Sequence, residues 1–282
     1  MKFEKWQALG NDYLIVEQER LPWELNEARI EWLCDQHFGV GADGILLLSR
    51  SEDPEFVADL RIFNPDGSEA ELSGNGAREA ILYLRRHRWT EEDEFAIKTV
   101  AGPIRPTITG ELTCSVDMGK ASTTSKDYPS GGEDGRGTLQ AGGREWEFQH
   151  VSIGNPQCAI VVGEELDALD LGEIGPGIEG HELFPNRTNV SFIAIDGSRV
   201  RARIFERGVG ETLSSGTGAS GAAVTAFLRG AASPILVELE GGELEVEIAD
   251  DLSVRLNGWA EPVFAGELSP ELVQALSELD GE

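Results

Sequence analysis

Positive charge is what this chain of 282 residues has least of: 23 lysines and arginines stand against 51 aspartates and glutamates, a formal net charge of −28. A field of that sign repels phosphate backbones and anionic headgroups, which argues against nucleic acid and membrane surfaces as partners. Cysteine is scarce too. The three present, Cys34, Cys114 and Cys158, are too few for a disulfide framework and are not at metal spacing, which points to a reducing cytoplasm. The four histidines, His37, His87, His150 and His181, include no pair at ligand spacing, so no metal is expected. Long apolar runs are missing as well: nothing is long enough to span a bilayer, and the opening MKFEKWQALGND has no signal core.

The most informative stretch occurs twice. RIFNPDGSEAELSGNGAREAILYL (residues 61–84) and RIFERGVGETLSSGTGASGAAVTA (residues 203–226) align without a gap, so Arg61 and Arg203, Glu69 and Glu211, Ser73 and Ser215, and Gly76 and Gly218 are each 142 positions apart. Each copy passes from an Arg-Ile-Phe strand end through a polar loop to Ser-Gly-X-Gly-Ala. Apolar residues at helical spacing follow: Ala77, Ala80, Ile81 and Leu84, then Ala219, Ala222, Ala223 and Ala226. A serine followed by Gly-X-Gly at a helix start leaves backbone N–H groups and the positive dipole end around a vacant spot that suits an anion. For one copy, an ordinary N-cap with turn glycines explains as much. Two copies favour a ligand. A second duplicated element, Gly10-Asn11-Asp12 and Gly154-Asn155-Pro156, is spaced by 144 and makes the Asn11 and Asn155 amides candidates for the same ligand.

Patterning predicts strands over residues 2–9 and 13–17, a helix over 27–37 carrying Cys34 into the core, and a loop over 122–137. Strands dominate 138–162 and 188–205. Residues 234–256 alternate as paired strands turning at Gly241-Gly242, and a final helix begins at Pro270 behind a Ser269 cap. The repeat divides the chain into residues 1–116, rejoined by a returning 265–282, and residues 117–264.

Six ordered stretches carry a family resemblance: GNDYLIVE from Gly10, FGVGADGILLL from Phe38, NPDGSEAELSGNGAR from Asn64, IGNPQCAIVV from Ile153, FPNRTNVSFI from Phe184 and ERGVGETLSSGTGAS from Glu206. Together they resemble diaminopimelate epimerase over nearly the whole chain. The resemblance implies an α/β (α+β) fold of two pseudo-symmetric halves, each a mixed sheet wrapped around a central helix. It implies a PLP-independent isomerase without a cofactor that interconverts LL- and meso-diaminopimelate by two-base proton transfer at Cα, in lysine and peptidoglycan precursor synthesis. A cytoplasmic homodimer acting on a small amino-acid substrate goes with it. By the same resemblance Ser73 and Ser215 occupy the catalytic positions, one for each face of the substrate Cα. The side chains of Asn11, Asn64, Asn155, Asn189, Glu206 and Arg207 would hold the substrate, and the backbone at Gly74-Asn75 and Gly216-Thr217 would receive its α-carboxylate. Helix N-termini at that carboxylate stabilise charge where it develops, and a carboxylate beside a guanidinium suits a ligand carrying both signs.

The two catalytic positions are cysteine in the family and serine here. A thiol titrates near about 8.5 and a hydroxyl near about 15.7, a gap of roughly 7 units or about 10 kcal/mol, of which a helix end supplies at most about 2 kcal/mol. A serine acting as base therefore needs a base of its own. The histidine often found after the family's GNP is Gln157, and the glutamine often found after the aspartate of the Phe38 loop is Gly44. Glu206, Glu211, Glu69 and Asp66 remain as helpers that spacing does not rank. Three readings stay open: an epimerase whose two thiols were replaced by design, a natural serine-bearing isomerase of this or another amino acid, and a silent amino-acid-binding homologue that keeps the carboxylate cradle.

Overall fold

The duplication in sequence becomes a duplication in strand order. The computed structural model describes residues 1–71 and 73–279, so Leu72 and residues 280–282, the end of the expected returning segment, lie outside the described residues. By contact the chain divides into one unit of Met1–Val116 with Trp259–Glu282 and another of Asp117–Gly258. Among the described residues there are five α-helices: α1 Glu27–Cys34, α2 Gly74–Arg86, α3 Leu171–Glu179, α4 Gly216–Leu228 and α5 Pro270–Ser277.

In the first unit the strand Lys2–Ala8 pairs antiparallel with Asn11–Glu17, which runs parallel to Ile45–Arg50, which pairs antiparallel with Ala58–Phe63. Ala58–Phe63 then takes Glu69–Ala70 antiparallel on one side and Ile97–Thr99 parallel on the other, and Gly102–Ile104 closes the series. The second unit repeats this sequence of pairings with Arg144–Ser152, Pro156–Val161, Asn189–Asp196, Arg199–Glu206, Gly210–Thr212, Ile235–Leu239 and Gly242–Ile248. Each sheet is therefore mixed, as expected for this α/β class. The hairpin Lys2–Ala8 with Asn11–Glu17 and its counterpart Arg144–Ser152 with Pro156–Val161 each turn at a glycine held at positive φ, 82° at Gly10 and 78° at Gly154, a conformation that strains residues with a Cβ.

Each sheet curls about one buried helix. In the first unit α2 packs on Lys2–Ala8, Asn11–Glu17 and Ile45–Arg50; in the second α4 packs on six strands from Arg144–Ser152 to Gly242–Ile248. Both helices have 13 residues. Helix α4 is built of Gly, Ala, Ser and Thr with few large side chains, so strands approach it all round. Fully burying Ile81 or Leu84 on α2 contributes roughly 1.5–3 kcal/mol each. The tail helix α5 is capped by Ser269, which accepts from Leu272 N at 3.1 Å. It is tied back to the α1 region by Arg29 Nε donating to Leu276 O at 2.8 Å and Asn26 Nδ2 to Leu279 O at 3.0 Å.

Four boundaries differ from expectation, one of them the second strand, which begins at Asn11 rather than at residue 13 because Asn11 and Asp12 already pair with Ala8 and Gln7. Helix α1 stops at Cys34 rather than at residue 37, because the Asp35 carboxylate accepts from both His37 N and Phe38 N at 2.7 Å and turns the chain. The first strand ends at Ala8, since Leu9 takes φ 54° to enter the turn. The expected loop over 122–137 gives way at its end to the strand Arg136–Ala141.

Candidate active site

In the first unit, Ser73 precedes α2 and its Oγ accepts the Gly76 N–H at 3.1 Å. A second donor reaches the same oxygen: the Tyr13 hydroxyl, at 3.2 Å, from the strand Asn11–Glu17. Asn75, the second residue of α2, donates from Nδ2 to Asn11 Oδ1 at 3.3 Å, and Asn11 Nδ2 donates to Asp43 at 2.8 Å. Asn75 Oδ1 in turn accepts from Arg78 Nη2 at 2.6 Å, and Arg78 Nη1 also donates to Gly74 O at 3.1 Å. Arg78 is fully buried, and burial lowers the pKa of its guanidinium. Five of the residues singled out in the sequence thus fall in this unit. Four of them, Asn11, Ser73, Gly74 and Asn75, gather at one helix start, while Asn64 donates from Nδ2 to Ser68 Oγ at 3.0 Å within its own turn.

In the second unit, Ser215 caps α4 and accepts from Gly218 N at 3.2 Å. Its own hydroxyl donates to Glu206 Oε2 at 3.1 Å, and the other carboxylate oxygen of Glu206 accepts from Thr212 Oγ1 at 2.9 Å. The hairpin between Arg199–Glu206 and Gly210–Thr212 holds this carboxylate in place. Burial raises the Glu206 carboxyl above its ordinary value, and the bonds from Thr212 and Ser215 offset part of that rise. Asn155 donates to Thr217 Oγ1 at 3.2 Å, the counterpart of the Asn11–Asn75 link, and Gln157 donates to Asn155 Oδ1 at 2.7 Å. Asn189 is buried and joins two backbones: Oδ1 accepts from Arg207 N at 2.9 Å and Nδ2 donates to Pro156 O at 3.0 Å. Arg207 reaches back to Asn186 O at 3.1 Å.

The geometry ranks the four carboxylates that spacing left equal. Glu69 is held by Arg61 at 2.8 Å and Glu211 by Arg203 at 2.6 Å, the same ion pair 142 positions apart. Asp66 accepts from Ser68 within a turn. Of the four, Glu206 is the one that bonds a cap serine. The remaining thiols do not substitute for the missing ones: Cys34, Cys114 and Cys158 are buried on other elements, and burial pushes Cys34 and Cys114 up to about 12. The sequence reading missed Tyr13 and Thr212. The one local signal for Tyr13 was a lone phenol in an otherwise aliphatic YLIV strand; for Thr212 it was the tight hairpin after Glu206.

A family profile described as diaminopimelate epimerase matches residues 3–124 and 149–258. The chain belongs to the diaminopimelate epimerase family. Both serine-capped helix starts lie inside the matched ranges, whereas the unmatched 125–148 holds most of the loop after residue 122, the strand Arg136–Ala141 and the start of Arg144–Ser152. Two curated diaminopimelate epimerases are similar over almost their whole length. That numbered 2 in Nostoc sp. is 40% identical over 279 residues, covering 96% of this chain and 97% of the relative. That of Pelotomaculum thermopropionicum is 39% identical over 278 residues, covering 95% and 98%. Among solved structures, a predicted epimerase from Pseudomonas aeruginosa superposes with a TM-score of 0.66 at 17% identity, covering 95% of this chain and 98% of that one, a likeness of fold.

Proposed function

We propose that this chain is a working, PLP-independent amino-acid epimerase that interconverts LL- and meso-diaminopimelate with serines in place of thiols. The observation that carries the reading is the Ser215–Glu206 hydrogen bond. A serine needs a base of its own to take a carbon-bound proton, and a half-buried carboxylate with a raised pKa already accepts the Ser215 hydrogen bond. As Ser215 Oγ takes the Cα proton, its own proton passes to Glu206 Oε2, so the net base is a carboxylate rather than an alkoxide. The negative charge left on the substrate spreads into its α-carboxylate, and helix-start N–H groups at Gly74-Asn75 and Gly216-Thr217 stabilise it there. Ser73 returns the proton.

The other candidates divide by what their side chains do. Asn11 and Asn155 are each held at both ends of the amide, by the second residue of a helix and by Asp43 or Gln157, which fixes their orientation and leaves one amide N–H apiece for a ligand. Asn64 and Arg207 are turned to Ser68 and to the Asn186 carbonyl, so substrate would have to draw them from those partners. Asn189 acts through the backbone it fastens, positioning the Glu206-Arg207 corner. The names of the relatives support the substrate, while low and unpaired cysteine supports a cytoplasmic setting and the family resemblance supports a homodimer.

Proton NMR of the purified protein with LL-diaminopimelate in deuterated water tests this. The expected result is loss of the Cα signal with growth of the meso form. Line broadening with the Cα signal intact would identify a binding homologue, and an unchanged spectrum would overturn both activity and substrate.

A further inference from the structure

We infer that Tyr13 is the terminal proton donor for Ser73, so that the two serines work as relays of opposite polarity. The inference rests on the epimerase reading above and deepens it. The directions of the hydrogen bonds carry it. Ser215 donates its hydroxyl hydrogen bond to Glu206, which leaves its oxygen set to take a proton from carbon as its own passes on. Ser73 shows the reverse: its oxygen accepts from both Tyr13 Oη and Gly76 N, and no acceptor among the described residues takes its own hydrogen, so that hydrogen is available to a ligand. When Ser73 gives a proton to carbon, the Tyr13 phenol restores it. Phenols ionise near about 10, far below an alcohol at about 15.7, so the charge left behind rests on a phenolate instead of an alkoxide.

The site is shaped for that ring. Tyr13 is buried, and a Cβ at Gly44 would lie 2.7 Å from its Cε1 and 2.3 Å from Phe63 O. On the other side, a Cβ at Gly76 would lie 3.3 Å from Tyr13 Cε2. The second unit lacks this arrangement. Leu14 opposes Ile45 and Gln157 opposes Asn189, which makes Gly44 the counterpart of Asn189 and Tyr13 the counterpart of Gln157. There the side chain at 189 is present, Gln157 turns to Asn155, and no phenol reaches the serine among the described residues. The glycine at 44 and the serine at 73 thus meet at one side chain.

The proton balance closes. Cα–H breaks as Ser215 Oγ–H forms and the Ser215 proton moves to Glu206; Ser73 Oγ–H breaks as the new Cα–H forms and the Tyr13 proton moves to Ser73. Glu206 is left protonated and Tyr13 ionised, and solvent resets both.

The test is Tyr13→Phe, which keeps the ring and removes the hydroxyl, followed by NMR in deuterated water from each stereoisomer. Epimerisation should fall about 10²-fold. From the isomer whose hydrogen faces Ser215, deuterium should still enter with retained configuration, so the ratio of exchange to epimerisation rises; a merely structural role would lower both together. In a Ser73→Cys background, where the thiol is acidic enough alone, Tyr13→Phe should change epimerisation only a few-fold. Equal losses in both backgrounds, or no loss in either, would overturn the relay. If the unsubstituted protein exchanges neither isomer, the epimerase reading itself fails. The pH profile for alkylation of the thiol that Ser73→Cys introduces then decides the contact: Tyr13→Phe should move its midpoint upward, because a phenol donating to the thiolate favours ionisation, and an unmoved midpoint overturns it.

Discussion

Ser73 and Ser215 cap helices of equal length at equivalent places in two units of the same strand order, yet one hydroxyl receives a phenol's hydrogen bond while the other gives its own to a carboxylate. The partners come from different elements. Tyr13 lies on a strand early in its unit, and its counterpart Gln157 is turned to Asn155. Glu206 lies on a strand just before its serine, and its counterpart Asn64 is turned to Ser68. Duplication has kept the serine-capped helix starts and let the partners of the two hydroxyls diverge. A carboxylate at one serine and a phenol at the other differ in acidity, which is what separate base and acid roles demand.

The comparison breaks most visibly at Glu206. Glu206→Gln keeps shape and removes the base, and the rate of Cα exchange should fall by about 10²–10⁴-fold, whereas Asn64→Asp should change it only a few-fold. The pH profile carries the sign. Glu206 must be ionised to accept a proton, so activity is lost as pH falls through its pKa, and because burial raises that pKa the acidic limb should lie above the ordinary carboxylate range. Rates measured across pH should show this limb in the unsubstituted protein. A limb at the ordinary carboxylate value would assign it to another group.

Next in size is Gly44→Ala, which gives the first unit a side chain where the second has Asn189. The new Cβ would press on the Phe63 carbonyl and the Tyr13 ring, and overpacking of this kind costs typically about 1–3 kcal/mol. Thermal unfolding should show a lower Tm together with lost epimerisation. A variant that unfolds normally and stays active would mean that the ring and strand yield easily and that the glycine is incidental.

How much of this was legible follows from distance along the chain. The helix starts, the Gly-Asn turns and the strand succession depend on local spacing, and a constant offset exposed them without any knowledge of packing. The ion pairs Arg61–Glu69 and Arg203–Glu211 also lie within one hairpin each. What could not be read is which polar side chain reaches each serine. Tyr13 and Ser73 meet only because three intervening strands place the first hairpin beside α2, and Glu206 was one of four carboxylates at plausible spacing until the hairpin fixed its direction. The shortened α1 has a plainer cause: a helical pattern continues through Asp35, but the carboxylate competes for the backbone there.

A smaller contrast sits one turn and a half into the helices. Glu79 on α2 corresponds to Gly221 on α4, whose place is crowded by Gln157. Glu79 is fully buried and neither oxygen has a partner in hydrogen-bonding geometry; burial raises its pKa well above the ordinary value, with Arg78 and the Tyr13 backbone pulling the other way. A carboxyl raised in the folded state stabilises below its unfolded pKa, and that contribution is lost as pH rises through the folded one. Glu79→Gln should therefore leave Tm nearly unchanged in acid and reduce its decline toward alkaline pH. Parallel Tm curves across the range would show that Glu79 titrates alike in both states.

The smallest expected difference concerns the repeated ion pairs. Arg61 and Arg203 each hold a glutamate eight residues on, but the Arg61 side chain is 53% exposed and that of Arg203 24%. Exposed pairs contribute about 0.2–1 kcal/mol, so Arg61→Met should shift stability by no more than that and lose even this at high salt. Arg203 does a second job. Its Nη1 donates to Leu166 O at 3.0 Å and Leu169 O at 2.8 Å, carbonyls at the end of a short helical turn, and removing it strands them. An acceptor left unpaired costs about 1–3 kcal/mol when buried, so Arg203→Met should destabilise more than Arg61→Met and resist salt. Denaturant unfolding of the two variants at low and high salt measures the difference. Equal losses would mean that water replaces the guanidinium at those carbonyls, leaving the second ion pair as weak as the first.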